Sequence, residues 1–465
     1  MLKKSRHSLA IGLAFITWSA SSVAQVPVSR SLHVQTSSAS TSSTATKAAT
    51  PQASSPPVQA KQLRQLSLEL QVGVVIDKAF PDLDNQLISR ALENAAKSFQ
   101  DRFGVTAPRF VVSSTMSVDR FLAKAPVESS ERCRKNLQHR YRGTGLSEFS
   151  SRRDKAIQFL KRWPLKSLTV FVDAKNPEAK KNYGNLYEYL AKKYVNTVEQ
   201  LKSARTSTGT PLVEPNKTAR RSFAMWFCAL SEQTDYDVII TNTFIMADIM
   251  TEPHPHAFMG RAKIGGIAGP NQHRKALGRS ALLATTFGID THIDWLSELS
   301  GTPATEAERA SILGDYLLAH EIAHAVFGIP DMFDHPSECL MTSRPDETYR
   351  QGLKLLQENI GACPRCRKWV KARAYLDKAR AELVRDRPKT ALRYLARASS
   401  RTPKHFHGGY KKRMSQISYL VSQAYQKLKR KKRAKRFAKR ALQLDPKSTD
   451  AIKLWKVLTS TTGSP

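Results

Sequence analysis

The sequence feature that most constrains the fold is a predicted amphipathic helix at residues 305–327. Thr305 and Glu308 have the spacing of a capping box, which marks a helix start. Apolar residues then recur at helical spacing, and Gly328 and Pro330 provide the stop signals. We therefore expect a half-buried helix that ends near residue 327.

The last turns of this helix carry His320, Glu321 and His324 in an H-E-x-x-H arrangement. Positions i and i+4 share one helix face, so the two imidazoles can bind one metal ion, with Glu321 turned toward a metal-bound water. Zinc lowers the pKa of such a water to about 7, and Glu321 would take its proton during attack on a carbonyl. The pattern predicts metal-assisted hydrolysis, most often of a peptide bond. The alternative is a core helix with two hydrogen-bonded histidines.

The residues after the helix resemble those of the metzincin zinc peptidases. The G-I-P-D run at residues 328–331 is similar to snapalysin, whose third zinc ligand is an aspartate. The Cys-Leu-Met segment at 339–341 resembles the methionine turn, which implies that Met341 is a hydrophobic floor and not a ligand. The C-P-R-C run at 363–366, taken with that turn, is similar to archaemetzincin, which carries a second, cysteine-bound zinc. The resemblance covers about residues 235–366 and implies a zincin-like catalytic domain.

The third zinc ligand depends on a departure from this pattern. In the family a glycine follows the second histidine by three residues, whereas here Gly328 comes one position later. We predict Asp331 as the ligand because it follows the turn as the aspartate does in snapalysin-like enzymes. Asp334 and His335 are alternatives, and Asp331 could also be a solvated turn residue.

The five cysteines suggest two further features. Cys133 and Cys228 are candidates for a disulfide in an oxidising compartment, although the sequence alone does not assign the connectivity. A second, structural zinc is predicted from the archaemetzincin resemblance at four ligands, His335, Cys339, Cys363 and Cys366. The competing interpretation is a disulfide between two of the last three cysteines.

The N-terminal residues indicate export. Basic residues precede an apolar run at residues 9–18, and small residues at 22–24 offer a cleavage site, so residues 1–24 read as a signal peptide that is cleaved after Ala24. An uncleaved anchor is the alternative, and no later stretch is apolar enough to span a bilayer. Residues 25–62 are predicted to be a disordered linker rich in Ser, Thr, Ala and Pro. We expect a periplasmic or secreted protein.

Residues 63–366 are predicted to form an α/β (α+β) domain with a twisted mixed sheet and an active-site helix. Its predicted strands and extended segments are at residues 68–76, 109–113, 168–173, 236–244, 260–270 and 278–287, and its other helices at 85–103, 183–201 and 217–230. In metzincins an edge strand upstream of the helix binds substrate by backbone pairing. Residues 280–286 are the candidate for that role, or form an ordinary edge strand.

Residues 367–465 are predicted to form a basic, all-α domain with an internal repeat. An alanine, aromatic and proline pattern recurs with an offset of 43 positions, which suggests duplicated helical hairpins that resemble tetratricopeptide repeats. An extra loop near residues 405–409 would explain the long period. The segment has 29 lysines and arginines against 5 aspartates and glutamates, a net charge of +24 out of +35 for the chain.

Such a surface attracts anions, so an anionic envelope component or an acidic protein is a candidate partner. The alternative is a solvated helix face. Specific nucleic-acid binding is not expected because no aromatic stacking ladder accompanies the charges.

These features predict an exported zinc-dependent metalloendopeptidase acting on protein or peptide substrates. A second hypothesis is a gluzincin-like periplasmic quality-control protease with tetratricopeptide repeats, for which Glu358 is the candidate downstream ligand. A third is a non-catalytic, zinc-stabilised binding or scaffold protein.

Overall fold

The computed structural model describes the chain in segments, on which every structural statement below rests. These are residues 68–123, 153–161, 185–205, 209, 211–212, 223–232, 235–245, 265–270, 280–289, 304–329, 336, 339–342, 349–358, 360–404 and 409–460. The expected signal peptide, the linker and the strand at 168–173 lie outside these residues. The three candidates for the third ligand, Asp331, Asp334 and His335, also lie outside them.

A mixed five-stranded sheet organises the first half of the described chain. Its strands are β1 (Glu69–Ile76), β2 (Arg109–Ser117), β3 (Val238–Thr241), β4 (Gly266–Pro270) and β5 (Ser280–Thr285). Their order is β2-β1-β3-β5-β4, with every neighbouring pair parallel except the antiparallel pair β4 and β5. The expectation of a mixed sheet is confirmed.

The prediction that residues 280–286 form an edge strand is wrong. β5 lies inside the sheet, where Leu282 pairs with Val238 of β3 on one side and with Ala268 of β4 on the other. A backbone paired on both sides offers no free edge to a substrate strand. Among the described strands, β4 and β2 form the edges. Strand order arises from long-range pairing that a local pattern of apolar residues does not encode.

Thirteen described α-helices accompany the sheet. They are α1 (Asn85–Ser98), α2 (Val118–Ala123), α3 (Arg153–Leu160), α4 (Leu186–Ser203), α5 (Phe223–Glu232), α6 (Glu306–Ser311), α7 (Ala319–Ala325), α8 (Tyr349–Gln357), α9 (Pro364–Val384), α10 (Pro388–Arg401), α11 (Gly409–Lys427), α12 (Lys431–Leu444) and α13 (Thr449–Ser460). None of them is long and apolar enough to cross a membrane.

Helices cover both faces of the sheet. Alternate side chains of β3 point to opposite sides, so Val238 and Ile240 join the core formed with α1 and α7. Ile239 joins a second core with Trp226 and Leu230 of α5. The central strands are therefore buried on both faces, which explains their nearly continuous apolar sequence.

The helix predicted from Thr305 onward is present. We call residues 306–325 the histidine helix; it consists of α6, a π-helical segment (Ile312–Leu318) and α7. Thr305 and Glu308 form the expected capping box, and Gly328 ends the segment with φ +63°. At Gly314 an added Cβ would lie 2.2 Å from the Ala91 carbonyl oxygen, so the absent side chain lets α1 pack directly against the π segment.

The C-terminal helices form two equivalent hairpins, α9 with α10 and α11 with α12. Asp386 and Lys429 make the corresponding turns with φ of +56° and +58°, and they are separated by the 43 positions expected from the sequence. In both turns the next residue donates its N–H to a carbonyl five positions earlier, as in a Schellman motif. We call residues 364–460 the helical region. The expected domain boundary at residues 366/367 falls within the first turn of α9.

Candidate metal centre

The histidine helix brings the two predicted imidazole ligands together. His320 and His324 lie one turn apart in α7, with their Nε2 atoms 2.9 Å apart. The rings are nearly perpendicular, at 80°. Both side chains are half-buried, as is that of Glu321 between them. The sequence prediction that the histidines share one helix face is therefore correct.

The other nitrogen of each ring is held by a backbone carbonyl. His320 Nδ1 lies 2.9 Å from Leu340 O, and His324 Nδ1 lies 2.5 Å from Ile329 O. A carbonyl oxygen can only accept a hydrogen bond, so Nδ1 must carry the proton in each ring. In a neutral imidazole with this tautomer, Nε2 is the unprotonated nitrogen that is available to a metal ion. This is the orientation found in zinc-binding histidines, whose second nitrogen donates to a carbonyl or carboxylate.

These two nitrogens fit a zinc ion. With Zn–N bonds of about 2.0–2.1 Å, two atoms 2.9 Å apart can both reach one ion. Two unprotonated nitrogens at this distance repel each other, so the pair must share either a proton, as a hydrogen bond between the rings, or a cation such as zinc. Among the described residues, the only group of three or more potential ligands close enough to share a metal lies elsewhere, at the cysteines.

Turns outside the helix supply both carbonyls. Gly328 and Ile329 reverse the chain after α7 and donate their N–H groups to the carbonyls of His324 and Ala323. This turn returns Ile329 O to the His324 ring. Gly328 is the residue that allows it, because a positive φ is unfavourable for residues with a Cβ.

The Leu340 carbonyl comes from a β-turn at residues 339–342. Thr342 N donates to Cys339 O at 3.0 Å, and Leu340 N donates to Gly361 O at 3.0 Å. Met341, predicted to be a hydrophobic floor, is fully buried in the core that also contains α7.

Glu321 lies against the edge strand β4. A Cβ built on Gly266 would come within 2.5 Å of Glu321 Oε1 and of Glu321 Cγ. Only a glycine lets this carboxylate approach the strand backbone so closely. Strand β4, which is an edge among the described strands, and the proposed general base are therefore neighbours. Sequence reasoning missed Gly266; its one signal is an isolated glycine in an extended segment, which can mark a close backbone approach.

Glu358, the candidate ligand of the gluzincin hypothesis, lies in different surroundings. It is exposed just after α8 and lines a cavity of about 910 Å³ together with Ser98, Asp315 and Cys363. The described residues that line this cavity do not include His320 or His324. The structure does not bring Glu358 together with the two imidazoles.

Three cysteines form a second candidate metal site, which we call the thiol cluster. Cys339, Cys363 and Cys366 are buried thiols that form no disulfide, with their Sγ atoms within 4.8 Å of one another. Cys339 Sγ and Cys366 Sγ are 3.9 Å apart, well beyond a disulfide bond of about 2.05 Å. The structure therefore contains no disulfide between any two of these three cysteines, contrary to the competing interpretation. Cys228 is disulfide-bonded, and its predicted partner Cys133 lies outside the described residues.

The electrostatics of the thiol cluster suit a cation. Hydrogen bonding with Cys339 and Cys363, together with burial, raises the pKa of the Cys366 thiol. Backbone N–H groups of Met341 and Cys363 both point at Cys339 Sγ, at 3.4 Å. Such donors stabilise a thiolate, and a bound divalent cation would allow the three sulfurs to ionise together.

We predict that Gly266→Ala lowers the rate of peptide hydrolysis by displacing Glu321, without lowering the zinc content. The added methyl group would displace the carboxylate by about 1 Å, a misplacement that can cost about 100-fold in rate. Peptide hydrolysis and zinc content of the purified variant would be measured together. Gly352→Ala is the matched control, because a Cβ there meets only Tyr316 at an ordinary 3.4 Å. Equal activity of the two variants would contradict the close approach.

We also predict that the thiol cluster holds a zinc ion. Cys366→Ser should lower the zinc content by one ion per chain, whereas Cys228→Ser, outside the cluster, should leave it unchanged. Titration of unreduced, denatured and chelated protein should count three thiols. Unchanged zinc in the Cys366→Ser variant, or a count of one thiol, would argue for a disulfide instead.

Comparison of the chain with protein-family models, with curated proteins and with solved structures finds no match in any of the three.

Proposed function

We propose that this protein is an exported, metzincin-type zinc metalloendopeptidase. The observation that carries the proposal is the pair of Nε2 atoms 2.9 Å apart, each aimed by a carbonyl on the opposite ring nitrogen. Both rings thereby present Nε2, the nitrogen that binds zinc in such pairs, at a half-exposed position beside Glu321. The disulfide at Cys228 supports export, because such bonds persist in oxidising compartments.

The proposed roles of the residues follow from their positions. His320 and His324 hold the zinc, with Asp331 as the third ligand; Asp331 comes two residues after Ile329, whose carbonyl orients His324. Zinc, when bound, lowers the pKa of a coordinated water to about 7 and polarises a carbonyl. Glu321 accepts the proton of the attacking water and passes it to the leaving amine.

A substrate peptide would add to the edge strand β4. That strand has one side paired with β5, which leaves its other side as an edge among the described strands. Extended peptides bind such edges through backbone hydrogen bonds. Because Gly266 of β4 touches Glu321, a peptide along this edge would run past the proposed base.

The alternatives are less well supported. A gluzincin site requires Glu358 near the imidazoles, and this residue lines a cavity beside the thiol cluster instead. A non-catalytic, zinc-stabilised scaffold needs only the thiol cluster, with His335 as its proposed fourth ligand. It gives no reason for the close contact between Glu321 and an edge strand.

The helical region carries two matching rows of exposed cations. Each row follows i, i+4 spacing and repeats after 43 positions: Lys389, Arg393 and Arg397 on α10, and Lys432, Arg436 and Arg440 on α12. Carboxylates of this region are already paired elsewhere, Asp377 with Arg380 and Asp386 with Lys427. We propose that the rows bind phosphate headgroups of an anionic envelope lipid, since arginine binds phosphate in bidentate fashion.

The catalytic proposal predicts different results for four variants. Glu321→Gln should keep zinc but lose about 1,000-fold or more in peptide hydrolysis, the scale of general-base catalysis. Asp331→Ala should lose both zinc and activity. Asp334→Ala and Glu358→Ala serve as controls and should keep both, measured by metal analysis and cleavage of a peptide library. A fully active Glu321→Gln protein would exclude the mechanism, and zinc loss in Glu358→Ala would favour the gluzincin hypothesis.

The partner proposal predicts weaker binding to anionic vesicles when one row is neutralised. Replacement of Lys389, Arg393 and Arg397 by serine should weaken sedimentation with phosphatidylglycerol vesicles about 100-fold, at about 1 kcal/mol per charge. The control replaces Lys411, Lys412 and Lys456, exposed lysines on α11 and α13, by serine. Equal losses in the two triple variants would mean that only net charge matters, and no vesicle binding by the native protein would refute the proposal.

A further inference from the structure

Two side chains of the helical region close the end of the histidine helix. Trp369 of α9 donates its indole N–H to the carbonyls of Phe327 and Gly328, at 3.0 and 3.1 Å. Arg413 of α11 donates from Nη2 to the same Phe327 carbonyl at 2.9 Å. Carbonyls at a helix end lack partners within the helix, so these two donors satisfy groups that are otherwise left unpaired.

The burial of Arg413 carries an energetic penalty. Its guanidinium lies 4.1 Å from the centre of the Trp369 ring, and the residue is only 4% exposed. Burial, and next the charge of Arg373, lower the pKa of Arg413, while Asp377 has the opposite effect. Its Nη1 atom is buried without a hydrogen-bond partner among the described residues. Buried charge of this kind often costs more stability than an apolar side chain of the same volume.

The carbonyls bound by Arg413 and Trp369 lie next to the carbonyl that orients His324, the candidate metal ligand. Phe327 and Gly328 directly precede Ile329, whose carbonyl accepts a hydrogen bond from His324 Nδ1. Phe327 is fixed on its other side by a stacked contact with Phe99. The helical region is therefore connected to the His324 ring by two side-chain hydrogen-bond donors and one turn of the backbone.

We propose that Trp369 and Arg413 are positioning residues of the metal centre. They hold the turn formed by Gly328 and Ile329, which we call the Gly328 turn, so that the Ile329 carbonyl orients His324 toward the metal. The helical region is then part of the centre and not an appendage. This inference rests on the proposed function only insofar as His320 and His324 bind zinc. A purely structural role for the pair would predict lower stability with no specific change in metal affinity.

The test uses full-length protein with Trp369→Phe and Arg413→Met. The first variant keeps the aromatic ring and removes the donor, and the second removes the donor and the buried charge. Arg433→Met is the control for the loss of a stacked arginine, because this exposed arginine of α12 lies over the Tyr425 ring at 5.6 Å and its described contacts include none with Phe327 or Gly328. Zinc affinity would be measured by chelator competition and thermal unfolding by calorimetry. Cobalt substitution separates the two sites, since only the thiol cluster gives a thiolate charge-transfer band.

In each of the two variants, the zinc affinity of the histidine site should fall by at least about 10-fold, as is usual when a group that orients a ligand is lost. Arg433→Met should keep native affinity. Arg413→Met should unfold at the native temperature or above it, because it removes a poorly compensated buried charge. The double variant should lose less than the product of the two single effects, since both donors act on one carbonyl.

The possible failures can be told apart. If His320→Ala and His324→Ala leave the zinc content of the native protein unchanged, the proposed function itself fails. If those variants lose zinc but Trp369→Phe and Arg413→Met bind it with native affinity, only the positioning role fails. A loss of affinity in Arg413→Met that is matched by Arg433→Met, or that follows a lower unfolding temperature, would also overturn it.

Discussion

The candidate centre depends on two hydrogen bonds from imidazole Nδ1 atoms to backbone carbonyls. A histidine on a free helix samples several rotamers and both neutral tautomers, so helical spacing alone leaves the metal-binding nitrogen undefined. The carbonyls of Leu340 and Ile329 select one tautomer and one ring orientation in each case. Neither carbonyl belongs to the histidine helix. The helix can therefore present both imidazoles to one metal ion only when two separate turns have docked against it, so the candidate centre depends on the tertiary fold.

One of these turns also belongs to the thiol cluster, so the two candidate sites share a support. Cys339 contributes its thiol to the cluster, and the next residue, Leu340, orients His320. The Leu340 N–H is bound to the Gly361 carbonyl, two residues before Cys363. A cation in the thiol cluster would join the turn to the start of α9 and so restrict the position of the Leu340 carbonyl. A cation held by the thiol cluster would in this way stabilise the turn that orients His320 in the candidate centre.

The sequence predicted the parts of the site that local physics controls. The capping box at Thr305, the ending at Gly328 and the shared face of His320 and His324 depend on neighbours within a few positions, and all are present. The hairpin period of 43 was visible in the sequence because side chains at equivalent positions of the two hairpins pack in similar surroundings and are therefore of similar type. The edge strand was assigned to the wrong segment, because strand order is decided by pairing between distant residues. Gly266, Trp369 and Arg413 were missed for the same reason: each acts through a partner that is more than 40 positions away. The roles of the Leu340 and Ile329 carbonyls were invisible because every residue has a carbonyl.

Helix α9 explains why the basic helical region and the histidine helix are hard to treat as separate modules. Its first turn carries Cys366, and Trp369 follows one turn later on the same rigid element. A displacement of α9 would therefore disturb the thiol cluster and the Gly328 turn together, and through them both histidines. Arg413 adds a second hairpin to this connection, since it reaches the same Phe327 carbonyl from α11.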